Sequence, residues 1–114
     1  MGSEENQGDK FEGENYANNR LLGVQSLVTV DLFKRPNDTH FVRVSLRSDV
    51  KPELITRSEI DMDRYTNQTD FLHTVYIAGA ACAERQCEEY GDRHDPVECA
   101  KAASDAAREL LNGL

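Results

Sequence analysis

The chain reads as an α+β fold: an antiparallel β-meander of two or three strands, followed by an antiparallel two-helix hairpin packed on the sheet. Three observations predict it. Apolar and polar residues alternate with period two between Leu21 and Arg47. Beyond residue 68 the apolar residues fall three and four apart instead, as in Leu72, Val75, Tyr76, Gly79 and Ala83. Finally, Asp95-Pro96-Val97-Glu98 combines a capping side chain, a proline at the first helical position and a carboxylate three residues after the cap.

The first strand carries Val28, Val30 and Leu32 between Leu27, Thr29, Asp31 and Phe33; the second carries Val42, Val44 and Leu46 between Phe41, Arg43, Ser45 and Arg47. The segment between them, Lys34 to His40, contains Pro36, Asn37 and Asp38, which suit a turn. Pairing residues whose numbers sum to 74 sets Leu32 on Val42, Val30 on Val44 and Val28 on Leu46 across one aliphatic face. The other face then has an aromatic pair (Phe33 and Phe41), an opposite-charge pair (Asp31 and Arg43) and a hydroxyl pair (Thr29 and Ser45). A slip by one residue would put the aliphatic set in water. Residues 49–53, with Pro52, form a second turn. The alternation of Ile60 and Met62 with Glu59, Asp61 and Asp63 favours a third strand near 56–63, against a short helix starting near Pro52.

A first helix is expected from a cap at Thr69 or Asp70 to about Tyr90, ended by Gly91 in the left-handed conformation. The second begins at Pro96 and runs through Ala100, Ala103, Ala107, Leu110 and Leu111 to Gly113. A linker of about five residues makes the helices antiparallel neighbours. Folding the pair about Arg93 brings Gly79 against Ala107, Ala83 against Ala103, Tyr76 against Leu110 and Cys87 against Cys99.

The 114 residues amount to one domain, 20–114, after a polar, glycine-containing and acidic stretch, 1–19, that reads as a disordered tail. The longest apolar run, Val75 to Ala83, is about half of what a membrane span requires, so no membrane association is expected. No export signal is visible, and the acceptor patterns at Asn37 and Asn67 therefore read as chance matches. The expected compartment is the cytoplasm.

Charge is distributed unevenly. The net charge is about −4 over residues 1–19, +3 over 20–57 and −7 over 58–114, for a total of −8. Such polarity selects partners. Glu84, Glu88, Glu89, Asp92 and Glu98 lie on the helical hairpin and suit the basic surface of a partner protein. Charge runs of this kind also occur as plain solvated helix faces. The second reading is a nucleic-acid or phosphate face on the hairpin, formed by Lys34, Arg35, Arg43 and Arg47 with Phe33 and Phe41 available for stacking. Against it, those phenylalanines are expected to be packed by the helices, and the whole chain is negative.

The third reading is a thiol- or metal-dependent enzyme around Cys87, His94 and Cys99. An acidic neighbourhood weakens a thiol nucleophile, and no third orienting group accompanies Cys87 and His94. The spacing of Cys82, Cys87, His94 and Cys99 lacks the close cysteine pairs usual for zinc. Plain thiols are expected, with a Cys87–Cys99 bridge as the other arrangement the helix register allows. Asp61 and Asp63, two apart, read as solvent-facing carboxylates. No phosphate loop, dinucleotide fingerprint, metalloprotease helix, nucleophile elbow or EF-hand loop occurs. The sequence thus points to a non-enzymatic acidic binding protein with no catalytic residue, cofactor or metal. In size, charge and element order it resembles small phage-encoded inhibitors that occupy nucleic-acid clefts, which implies an inhibitory role.

Overall fold

The computed structural model describes residues 18–20 and 27–113. Four strands pair antiparallel in chain order: β1 (Asn18–Arg20), β2 (Val28–Lys34), β3 (His40–Arg47) and β4 (Ile55–Asp61). A 3-10 turn (Met62–Arg64) leads into α1 (Gln68–Tyr90), and α2 (Pro96–Asn112) follows. The α+β arrangement is the expected one. Most of the expected tail, 1–17, lies outside the described residues; its last two, Asn18 and Asn19, join Arg20 in β1 and extend the sheet beside β2.

The β2–β3 register is the one dictated by the aliphatic pattern. Val28 pairs with Leu46, Val30 with Val44 and Leu32 with Val42, while Asp31 lies opposite Arg43 and Phe33 opposite Phe41. The aliphatic six are at most 2% exposed, so this face of the sheet is the core. The connecting turn is closed by the Asp38 amide donating to the Arg35 carbonyl (3.0 Å) and the Arg35 amide donating to the Thr39 carbonyl (2.8 Å). Asp38 sits at φ 71°, a conformation that a short polar side chain tolerates. Residues 55–61 are a strand and not a helix: Ile60 pairs with Val42 and Glu59 with Arg43.

Helix α1 starts two to three residues earlier than expected. Asn67, and not Thr69 or Asp70, is the cap: its side-chain oxygen accepts the Asp70 amide (2.8 Å), and its Nδ2 donates to the Asp70 carboxylate (3.2 Å). The helix ends as predicted at Gly91, φ 77°, where the Gly91 amide reaches the Cys87 carbonyl and the Asp92 amide reaches that of Gln86. Helix α2 begins at the Asp95 cap, which accepts from the Val97 and Glu98 amides.

The helices cover the aliphatic face, α1 over β3 and β4 and α2 over β2. Their relative register differs from the expected one by about a turn. Gly79 meets not Ala107 but the Cys99 carbonyl, Ala100 and Ala103. The expected register folds the pair symmetrically about Arg93. Instead the linker turns inward and buries Asp92 and His94, which draws the start of α2 back along α1. Small residues still meet small ones, so the backbones approach closely.

Candidate functional site

Four of the five predicted binding residues lie at the surface. Glu84, Glu88 and Glu89 on α1 and Glu98 on the first turn of α2 are exposed, and none of them forms an ion pair with another described residue. The periodicity of α1 explains this: its core contacts run through Phe71, Leu72, Val75, Ala78, Gly79, Cys82, Ala83 and Gln86, which leaves Glu84 and Glu88 on the opposite side. Asp92 is the exception. It is 1% exposed and belongs to the interior, because the left-handed Gly91 redirects the chain toward the sheet.

The basic hairpin face is the side of the sheet turned away from the helices. Phe33 and Phe41 therefore are not packed by the helices, contrary to expectation. They stack on each other with centroids 5.0 Å apart, and arginines cover them: Arg43 lies 4.8 Å above Phe33 and Arg35 lies 4.4 Å above Phe41. Phe41, under Arg35, is only 4% exposed. The same guanidinium groups are matched with carboxylates. Arg35 binds Asp61 (2.6 Å), Arg43 binds Glu59 through two nitrogens (3.0 and 2.8 Å), and Lys34 binds Asp38 (3.2 Å). Of the four predicted cations only Arg47 stands without an anionic partner among the described residues. Asp63, the second of the solvent-facing carboxylates, accepts the His40 amide (2.8 Å).

The thiol centre does not assemble. All three cysteines are free; Cys82 and Cys99 are buried, whereas Cys87 is exposed. The shifted helix register sets Cys99 near Cys82 and not against Cys87, which removes the geometry for a Cys87–Cys99 bridge. Burial raises both interior thiols, that of Cys99 to about 11, with Asp95, Cys82 and Glu98 adding to the effect. Arg85 partly opposes the rise at Cys82. A raised thiol is a poor nucleophile at neutral pH.

His94 instead joins a polar cluster that connects the linker to the end of β3. Ser48 Oγ donates to Asp92 Oδ1 (3.1 Å) and accepts the Val50 and Lys51 amides (3.1 and 3.0 Å). Asp92 Oδ2 stands 3.3 Å from His94 Nε2, and neither atom makes a hydrogen bond with a described residue. Asp49, exposed, brings a carboxylate to the same place, so that one ligand atom from each of Asp49, Asp92 and His94 lies within 4.8 Å of the others. Beside this cluster, buried Gln86 donates to the Leu46 carbonyl (2.6 Å). Ser48, Asp92 and His94 do not form a nucleophilic triad, because Ser48 is hydrogen-bonded to the carboxylate and not to the imidazole. Sequence reasoning missed this grouping. No local signal marks it, since Asp92-Arg93-His94 between Gly91 and Pro96 reads as an ordinary polar linker.

No family model, curated protein or solved structure matches the chain. Among the described residues no helix is long and apolar enough to cross a membrane.

Proposed function

We propose that this chain is a non-enzymatic binding protein whose acidic helical hairpin engages a basic surface on a partner macromolecule, as an inhibitor of that partner would. One contrast carries the reading. On the sheet, three of the four candidate phosphate-binding cations already hold a carboxylate, whereas Glu84, Glu88, Glu89 and Glu98 on the helices hold no cation among the described residues. A nucleic acid meeting the sheet would have to displace Asp61 and Glu59 from Arg35 and Arg43, and would do so against a net charge of −8. A basic protein surface meeting the helices displaces only water and counterions, and is steered toward them by the long-range field. The three free thiols suit a reducing compartment, so the proposed location is the cytoplasm.

The test compares binding to a generic basic protein and to generic RNA over a range of salt concentrations. Glu84→Lys, Glu88→Lys and Glu89→Lys combined should slow association with the basic protein and flatten its salt dependence, without changing the unfolding midpoint. Arg43→Glu with Arg47→Glu should leave that binding intact. RNA binding that is lost on reversing Arg43 and Arg47 would shift the assignment to the sheet.

A further inference from the structure

The interior of this protein contains a carboxylate whose surroundings are incomplete. Asp92 is 1% exposed, and a buried carboxylate is costly unless its oxygens are paired. Ser48 serves one oxygen; the other faces His94 Nε2 at 3.3 Å, outside hydrogen-bonding geometry, and both atoms are buried without a hydrogen-bond partner among the described residues. His94 itself is 8% exposed. Two buried polar atoms thus converge on the same space, and the Asp49 carboxylate reaches it from the solvent side.

We propose that Asp49, Asp92 and His94 form a binding site for a divalent transition cation of the Zn2+ class. The spacing of the buried pair fits. Ligands about 2.0–2.2 Å from a tetrahedral metal stand roughly 3.3–3.6 Å from one another. That is the separation of Asp92 Oδ2 and His94 Nε2. The donor set also fits, since one imidazole and two carboxylates suit borderline divalent ions, while calcium calls for six to eight oxygens. The outer layer is in place as well. Ser48 holds the far oxygen of Asp92, and the Val50 and Lys51 amides hold Ser48, which orients the carboxylate before any ion arrives. With Asp49 exposed, the fourth position opens to solvent. The ion would clip the β3–β4 loop to the α1–α2 linker, a role independent of what the acidic helices bind.

The full chain, first treated with chelator, is titrated with Zn2+ alone in competition with a chromogenic chelator and followed by thermal unfolding. A Cys87→Ser background removes the exposed thiol as a rival ligand. One Zn2+ per chain is expected, with a rise in the unfolding midpoint. Because Asp49 is exposed, Asp49→Asn should fold as before, with an unchanged metal-free midpoint, yet bind Zn2+ at least about tenfold more weakly. Ser48→Ala should weaken it by about 10–100-fold. Co2+ in place of Zn2+ should give visible bands of nitrogen and oxygen ligation without a thiolate charge-transfer band. No saturable Zn2+ binding, binding indifferent to Asp49→Asn, or a thiolate band would each overturn the proposal.

Discussion

Gly79 on α1 lies so close to α2 that a Cβ built on it would stand 2.8 Å from the Cys99 carbonyl oxygen and 3.0 Å from Ala103 Cβ. The obstacle is backbone, which cannot rotate away as a side chain could. Gly79→Ala gains up to about 1 kcal/mol of helix propensity, but it must force the helices apart. We expect a net loss on the order of 1–3 kcal/mol, read as a lower urea midpoint. An unchanged or raised midpoint would mean that the helices are farther apart than described.

Cys99 makes stability depend on alkaline pH. Its folded-state value is raised from an ordinary 9.0 to about 11, so the native state resists ionisation that the unfolded state accepts. The contribution is complete below pH 9 and disappears as pH rises through 11. The shift at Cys82 has the same sign. The urea midpoint of the wild type should therefore fall more steeply between pH 9 and 11 than that of Cys99→Ala; parallel declines would refute it. In the folded protein a thiol reagent should modify Cys87 quickly, and Cys82 and Cys99 only on unfolding.

Gln86 links three parts of the fold. Its side chain donates to the Leu46 carbonyl at the end of β3, and its own carbonyl accepts the Asp92 amide. Gln86→Met keeps most of the volume and removes the donor. The loss should stay below the roughly 1–3 kcal/mol of stranding the Leu46 carbonyl, because the change also removes Gln86 Oε1, which is buried without a hydrogen-bond partner among the described residues. Gln86→Ala adds a cavity and should be worse. Thermal unfolding of both variants measures the two contributions separately.

Asp95 supports α2 through two amides, those of Val97 and Glu98. Asp95→Ala should cost about 0.5–2 kcal/mol, and Asp95→Asn, which can still cap, markedly less. Equal losses for the two would assign the effect of Asp95 to its charge and not to the cap.

The elements of this fold were legible because each depends on local chemistry. Alternating Val and Leu define one aliphatic face, and only one register of β2 on β3 keeps that face out of water. Gly91 and the Asp95-Pro96 pair mark where α1 stops and α2 starts through backbone requirements that neighbouring residues impose directly. The exposed positions of Glu84, Glu88, Glu89 and Glu98 follow from the helical period for the same reason. Relations between elements were decided only in three dimensions. The five-residue linker has no period, so nothing local showed that it would fold inward, bury Asp92 beside His94 and draw α2 back until Gly79 met Cys99. Likewise the helices could cover only one face of the sheet. Phe33 and Phe41 had to be shielded instead by Arg43 and Arg35, whose carboxylate partners Glu59 and Asp61 come from β4, a strand whose pairing the hairpin sequence does not encode.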